Sequence, residues 1–282
     1  MKPSLHAATV RGIRIAVTLT ICLLYALPFA VLLALAVSDP VGAASGSGGG
    51  DNGSFLSLHL GNFPEAARAS RMGRAILNSA IIAVFSVSLL VAAASMAAYV
   101  IARFPTRAVR IFFALLLGSM MIPGIINTVP LYTMLVRLRG INTYWAMIVV
   151  CATNALPFAV FLYTGFVKAV PREIEEAATI DGCSPFTAFR LVVFPYLAPV
   201  TASVLILNGI GIWNNYGQAV FFLQARDMKT APLAVSVFFQ QYGAHWNLVA
   251  AAAVIALAPA VLVFLASQAS FVKGISAGAV KG

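Results

Sequence analysis

The chain of 282 residues is 61 % hydrophobic and only 9 % charged, and it carries a formal net charge of +10. Soluble domains contain about 25 % charged residues, so this composition excludes a soluble globular protein. The basic residues punctuate long uncharged runs and do not form the aromatic-interleaved basic patch of a nucleic-acid-binding protein. We therefore expect a protein surrounded by membrane lipid, with no nucleic-acid partner.

The first apolar run covers residues 15–38 and follows a short amino-terminal segment, residues 1–14. It exceeds the roughly 20 residues that an α-helix needs to cross a bilayer, so it predicts a first transmembrane helix. A cleaved signal peptide is the alternative. The run is about twice the usual length of a signal-peptide core and contains Tyr25 and Pro28, which favours an uncleaved span.

Residues 39–74 form the first predicted extracytoplasmic loop, which contains the segment "GAASGSGGGDNGS". Gly and Ser at this density bury too little apolar surface to fix one conformation, so this insert is predicted to be a flexible linker. The rest of the loop predicts a short amphipathic helix outside the membrane, beginning at Asn62 or Pro64.

Five further charge-free runs follow, and together with the first they predict six transmembrane helices. In the last two runs the helices are expected from about Ala198 and over Leu248 to Val272. The predicted five-helix core is 75–272, followed by a tail, 273–282. The five runs are 75–102, 111–136, 140–167, 191–225 and 230–272.

The distribution of basic residues predicts the orientation of the chain. With the amino terminus in the cytoplasm and loops alternating, eleven Lys and Arg residues lie inside and seven outside. This bias predicts that both termini are cytoplasmic. The inner set is Lys2, Arg11, Arg14, Arg103, Arg107, Arg110, Lys168, Arg172, Arg190, Lys273 and Lys281.

One polar cluster falls inside a predicted span, the fifth, where polar side chains are costly unless they face a cavity or a partner. One interpretation is hydrogen bonding between helices; the other is a polar, aromatic-lined passage for a hydroxylated solute. The cluster contains no Asp, Glu or His, which argues against a proton-driven carrier. The cluster is Trp213, Asn214, Asn215, Tyr216 and Gln218.

Catalytic patterns are weak. The chain has no phosphate-binding loop of the G-x-x-x-x-G-K-[ST] type, its three histidines are isolated from one another, and its three cysteines offer no metal spacing. "GCSP" resembles the G-x-S of membrane serine proteases, but Ser184 lies in a predicted loop and no later span supplies a histidine. We therefore predict that the chain is not an enzyme.

Half of the acidic residues lie between Pro171 and Asp181, in the segment "PREIEEAATIDG". Pro171 suits a helix start, and the glutamates that follow favour its positively polarised end. Gly182 can adopt the left-handed conformation that ends a helix, and Ser184 with Pro185 predicts the cap and first residue of a second helix running to about Val192. The pattern predicts a bent pair of short helices that docks on a basic partner.

The same loop resembles a known family pattern. "EAATIDG" at residues 176–182, followed by "VVFP" at residues 192–195, is similar to the EAA…G…I-x-L-P loop of ABC-importer permeases, with Val192 and Phe194 replacing Ile and Leu. "NSAIIA", "AAYVIARF", "MIPGIINTVPLY", "LPFAVFLYTGF", "WNNY" and "GISAGAVKG" resemble the carbohydrate, maltose-type branch in the same order. The resemblance covers roughly residues 60–282.

The resemblance implies an all-α integral membrane protein with the type I ABC-importer permease fold, whose coupling-helix loop, residues 171–195, lies between spans four and five. It implies a bacterial inner-membrane subunit that imports a sugar with a second homologous permease, two cytoplasmic ATPase subunits and an extracytoplasmic solute-binding protein. ATP and magnesium would bind to the ATPases, and this chain would hold no cofactor. The implied docking residues are Glu173, Glu176, Ala177, Ala178, Asp181 and Gly182.

Three alternatives stay open at this point. The first is a permease of the same kind that carries glycerol phosphate or an amino sugar. The second is a channel or carrier that needs no ATP, and the third is an intramembrane protease that uses Ser184.

Overall fold

A computed structural model describes residues 5–38, 58–240 and 243–279. The chain divides into two compact units, one of Met1–Met72 with Val235–Leu257 and the other of Gly73–Ala234 with Ala258–Gly282. The predicted Gly/Ser-rich linker, residues 42–54, lies outside the described ranges, as do the last three residues of the predicted tail.

Helices account for most of the described chain. They are α1 (Leu5–Ala36), α2 (Asn62–Ala69), α3 (Met72–Arg103), α4 (Arg107–Ser119), α5 (Thr128–Arg137), α6 (Tyr144–Ala169), α7 (Arg172–Ile180), α8 (Pro185–Ala188), α9 (Phe194–Tyr196), α10 (Ala198–Trp213), α11 (Tyr216–Phe222), α12 (Ala231–Val235) and α13 (Trp246–Ala279). A π-helical turn (Phe189–Val193) joins α8 to α9, and 3₁₀ turns cover Arg226–Met228 and Ser236–Phe238. Strands β1 (Phe239–Gln240) and β2 (Gly243–Ala244) pair antiparallel.

The first unit is organised around a buried asparagine. Helix α2 begins at Asn62, one of the two starts that the sequence predicts. The Asn62 amide nitrogen donates to the carbonyls of Ala36 at 3.0 Å and Ser38 at 2.8 Å, and its oxygen accepts from Asn247 at 3.0 Å. Because buried amides need partners, this network joins the end of α1, the start of α2 and the first turn of α13.

The core of the second unit is a packed helical layer built on small residues. Ala94 and Ala98 of α3 and Ala159 of α6 are fully buried, in one cluster with residues of α10. Short side chains let helices approach closely where lipid removes the usual hydrophobic driving force. Tyr163 of α6 donates its hydroxyl hydrogen bond to Thr201 of α10 at 2.9 Å, which fixes the two helices to each other.

Four of the predicted transmembrane helices are confirmed as long apolar helices. They correspond to the first, second, fourth and sixth apolar runs of the sequence. Each contains an uninterrupted stretch of at least 21 residues, which exceeds the length needed to cross the hydrocarbon layer. The four segments are Arg11–Ala36, Met72–Arg103, Tyr144–Ala169 and Trp246–Ala266.

The third apolar run does not form one helix. Helix α4 ends at Ser119 and α5 begins at Thr128, leaving helices of 13 and 10 residues, each too short to cross alone. The intervening segment contains Pro123, which lacks an amide hydrogen, and Gly124, which destabilises helices. The sequence-based expectation of a continuous helix over 111–136 is therefore wrong.

The fifth run is helical from Ala198, as predicted, but the helix is only 16 residues long and ends at Trp213. The preceding segment Pro185–Tyr196 meets it at a 75° bend. Among the described residues, four helices can therefore cross a membrane, or five if this bent pair is one crossing. Six uninterrupted transmembrane helices are not confirmed.

Asn78, which is fully buried, fixes the amino-terminal end of α3. Its amide nitrogen donates to the carbonyls of Asp227 at 2.8 Å and Lys229 at 2.9 Å. Its amide oxygen accepts from the Tyr144 hydroxyl at 2.7 Å. One side chain thus connects α3, the start of α6 and the turn at residues 226–229.

Candidate functional site

The acidic loop has the bent two-helix form that the sequence predicts. Helix α7 starts at Arg172, with Pro171 in the capping position, and ends before Gly182, whose φ is +87°. The amides of Gly182 and Cys183 donate to the carbonyls of Thr179 and Ala178 at 3.0 and 2.9 Å, the hydrogen-bond pair of a Schellman motif. The turn therefore depends on a residue without a side chain at position 182.

Ser184 begins the second helical segment. Its hydroxyl accepts a hydrogen bond from the Thr187 amide at 3.2 Å, and Pro185 follows as the first helical residue, which confirms the predicted cap. The segment continues through the π-helical turn to Tyr196, beyond the predicted end at Val192. The Ser184 hydroxyl therefore stabilises the start of a helix.

The predicted docking residues divide into exposed and buried positions. Only Ala178 is buried, on the side of α7 that faces the rest of the unit. The exposed members place three carboxylates and the left-handed turn on the free surface of the loop. They are Glu173, Glu176, Ala177, Asp181 and Gly182.

The fourth acidic residue, Glu175, has a different environment. Arg103, the last residue of α3, forms an ion pair with the Glu175 carboxylate and donates from Nε to Oε1 at 2.6 Å. The Tyr99 hydroxyl donates to Oε2 at 3.1 Å. The side chains of Arg103 and Glu175 are 7 % and 13 % exposed, so this pair is held inside the protein.

Sequence reasoning missed this pair because 72 residues separate its partners. A signal was nevertheless present. Arg103 ends a long apolar helix, and Glu175 is the second of three glutamates on a helix of nine residues. Since helical residues three apart share a face, Glu175 and the buried Ala178 were candidates for the inner side of α7.

An open cleft of about 220 Å³ lies beside the ion pair. Its lining includes Arg172 and Glu176 of α7, and Pro185 of α8. Around the loop, three large apolar side chains face outward: Ile180, Phe186 and Leu191 are 86 %, 59 % and 64 % exposed. Large apolar side chains exposed together in this way are typical of surfaces that bind another protein or lipid.

The predicted passage residues lie where α10 gives way to α11. Asn215 caps α11, since its side-chain oxygen accepts from the Gln218 amide at 3.1 Å, and its nitrogen donates to the Gln218 side chain at 2.8 Å. The same nitrogen donates to the Cys151 sulfur of α6 at 3.5 Å. The bond from Asn215 to Cys151 is a hydrogen bond between helices of the kind that one interpretation of this cluster expects, whereas the two bonds to Gln218 lie within the start of α11.

The other three predicted passage residues differ in exposure. Asn214 and Tyr216 are exposed on the surface of this chain, while Trp213 is partly buried. The structure therefore brings the five residues together at one helix break, where Asn215 and Gln218 also make hydrogen bonds within the protein.

Among the residues that the structure describes, no group of three or more His, Cys, Asp or Glu side chains is arranged to hold a metal ion. The acidic loop is built from backbone caps, an internal ion pair and exposed carboxylates. This arrangement can bind another protein through charge and shape.

The fold and this loop together define a class: a helical membrane protein with several spans that presents a structured, acidic two-helix loop. Comparison with known proteins makes the assignment specific. Residues 66–277 match the family model "Binding-protein-dependent transport system inner membrane component", and the chain belongs to this family.

Relatives with assigned names are similar over most of their length. The chain is 42 % identical to the melibiose/raffinose/stachyose import permease protein MelC of Bacillus subtilis, over 80 % of this chain and 82 % of MelC. It is 32 % identical to the arabinooligosaccharides transport system permease protein AraQ of Halalkalibacterium halodurans, over 73 % of each chain. The probable starch degradation products permease AmyC of Thermoanaerobacterium thermosulfurigenes is also 32 % identical, over 80 % of this chain and 82 % of AmyC.

A solved structure has the same fold. A chain of a bacterial ABC transporter that imports the acidic polysaccharide alginate superposes with a TM-score of 0.79, covering 96 % of this chain and 100 % of that one. The two sequences are 18 % identical, so this likeness concerns the fold. Family and fold together make this chain a permease component of a membrane transport system, as the sequence resemblance implied.

Proposed function

We propose that the chain is one of two permease subunits of an ATP-driven importer that moves a sugar into the cytoplasm of a bacterium. The observation that carries the proposal is the loop of residues 171–195, an exposed acidic surface fixed to the helical core by the largely shielded Arg103–Glu175 ion pair. A rigid, protruding element of this kind suits the transmission of movement from another protein.

The ATP-hydrolysing partners dock on the exposed side of this loop. Glu176 and Glu173 point away from the core, as does Asp181, so a basic groove on the partner can pair with all three carboxylates. Ala177 and Gly182 let the partner approach the backbone closely. ATP and magnesium then belong to the two partner ATPases, and this chain contributes the mechanical connection.

Both termini are proposed to be cytoplasmic, in the inner membrane, with six crossings in all. Four crossings are the long apolar helices, α10 supplies the fifth, and the interrupted pair α4 and α5 supplies the sixth. Broken helices are tolerated at membrane depth where other protein segments cover the free backbone groups. The second permease subunit is the natural source of that cover, since Met121, Ile125 and Val129 are exposed around the break.

The solute is proposed to be a sugar, because MelC, AraQ and AmyC are all named for saccharide transport. Asn214 and Tyr216, with Trp213 beside them, are the side chains proposed to meet it. An amide and two aromatic rings match the hydroxyl groups and apolar faces of a sugar. An extracytoplasmic binding protein would deliver the sugar to this passage.

The test is a tagged chain expressed in its own host and purified in mild detergent with its complex. We expect the wild-type chain to retain ATP-hydrolysing subunits and a second permease, and Glu176→Arg to reduce the retained ATPase at least tenfold, because like charges then meet at the groove. The matched control is Glu65→Arg, the same substitution on the exposed face of α2.

Uptake of labelled melibiose and raffinose by intact cells is measured in parallel. The proposal requires uptake to disappear with Glu176→Arg and to persist with Glu65→Arg. Full ATPase retention and normal uptake in the Glu176→Arg strain would refute the docking surface. A wild-type complex without any ATPase would refute the importer.

A further inference from the structure

The ion pair behind the loop connects three separate helices. Arg103 is the last residue of α3, and Glu175 lies in the first turn of α7. Arg103 Nη2 also donates to the carbonyl of Val170, the residue that ends α6, at 2.9 Å. One guanidinium group therefore holds the ends of α3 and α6 and the start of α7 at a single point.

The surroundings of this pair are those of a rigid joint. Tyr99, one turn before Arg103 on α3, donates its hydroxyl to the second Glu175 oxygen, so both carboxylate oxygens are engaged. The Tyr99 ring lies 5.1 Å from that of Phe189 in the π-helical turn. A largely shielded charge pair with further hydrogen bonds on both partners is held in one geometry more firmly than an exposed surface pair.

We propose that Arg103, Glu175 and Tyr99 form a clamp through which displacement of α7 is passed to α3. The inference rests on the proposed function, in which a partner ATPase moves α7. The polypeptide chain itself connects this loop to only two membrane helices, α6 before it and α10 after it. The clamp adds a third connection, to a helix 72 residues away.

Helix α3 is suited to carry this displacement across the membrane. Its far end is fixed by Asn78, which bonds the carbonyls of Asp227 and Lys229 and the hydroxyl of Tyr144. Asn78 precedes Arg103 by 25 residues, which at about 1.5 Å per residue is roughly 37 Å of helix. Movement applied at the clamp therefore reaches the turn at residues 226–229 on the opposite side.

Arg103 and Glu175 are thus positioning residues, and a purely structural role for the pair is the competing explanation. The two explanations differ in what happens to ATP hydrolysis. If the pair is only structural, breaking it disrupts the fold of the loop, and both ATPase binding and ATP hydrolysis are lost. If the pair is a clamp, breaking it leaves the ATPase docked on the loop, but less of the movement of α7 reaches α3. ATP hydrolysis then continues while fewer sugar molecules cross the membrane.

The experiment uses the complete transporter reconstituted in proteoliposomes, with melibiose as the probe. The measured quantity is melibiose moved per ATP hydrolysed. We expect Glu175→Gln to keep ATPase retention and hydrolysis within twofold of wild type and to lower this ratio at least fivefold. Glu175→Asp, which keeps the negative charge, is expected to retain at least half of the ratio, and Glu65→Gln, on the exposed face of α2, is the control.

The result that overturns the clamp is an unchanged ratio in Glu175→Gln, or a fall of the same size in Glu65→Gln or in Glu175→Asp. Tyr99→Phe removes one hydrogen bond and keeps the ion pair, so it tests the clamp if Glu175→Gln does not assemble. It must lower the ratio at least twofold with hydrolysis intact; an unchanged ratio overturns the proposal. A wild-type chain that retains no ATPase refutes the proposed function instead.

Discussion

Replacement of Asn78 by leucine tests the packing of the second unit most directly. The fully buried amide makes three hydrogen bonds, two to the carbonyls of Asp227 and Lys229 and one from the Tyr144 hydroxyl. Each intramolecular hydrogen bond contributes about 0.5–1.5 kcal/mol, and the abandoned carbonyls add a desolvation cost. We therefore expect Asn78→Leu to lower the free energy of unfolding by about 2–4 kcal/mol.

Tyr144→Phe removes only the third of these bonds and is expected to cost about 1 kcal/mol. Because the Tyr144 hydroxyl has lost its partner in the Asn78→Leu background, the second substitution should then cost almost nothing. The four free energies of unfolding are those of the wild type, the two single variants and the double variant. They are measured in mixed detergent micelles by circular dichroism as the dodecyl sulfate fraction is increased.

Asn208→Leu is the matched control, since Asn208 donates to the carbonyl of Val204 within its own helix. It should cost less than about 1 kcal/mol. The reasoning is wrong if Asn78→Leu costs no more than this control. It is also wrong if Tyr144→Phe costs the same in both backgrounds.

Two further outcomes follow from the site. Gly182→Ala should destabilise the loop by about 1–2 kcal/mol, because the φ of +87° is unfavourable for alanine. An added Cβ would meet no atom within 4 Å, so this cost comes from backbone conformation and not from a steric clash. Faster proteolysis of the loop than in Gly61→Ala would show this, and equal rates would contradict it. Asn214→Leu should lower melibiose uptake at least tenfold while ATPase retention is unchanged, because the exposed amide is a proposed sugar contact; normal uptake would remove Asn214 from the passage.

Features that depend on neighbouring residues were predictable from the sequence. The helix end at Gly182 and the cap at Ser184 are local, because a left-handed glycine and a capping hydroxyl act within a few residues. The long helices α3 and α6 were predictable for a similar reason. Uninterrupted apolar runs longer than 20 residues have few alternatives to a membrane-spanning helix.

Features that depend on distant residues were not predictable. The break in the third apolar run was missed for a different reason: its helix breakers Pro123 and Gly124 are local, but the run has the hydropathy of a continuous span. The four acidic residues of the loop look equivalent in the sequence, yet Glu175 alone is paired with Arg103. Asn215 stays a candidate for the passage, but its bonds to Gln218 and to Cys151, 64 residues away, became visible only in the structure.

The exposure of helix α1 determines which substitutions this helix tolerates. Only 6 % of its most apolar stretch is buried, and Leu23, Leu24 and Tyr25 are each about 70 % exposed. Among the residues that the structure describes, little packs against these side chains, so length and affinity for hydrocarbon matter most there. Such a helix is exchangeable for many apolar sequences, whereas a single extra methyl group at Ala94, fully buried in α3, changes the spacing of the helical layer.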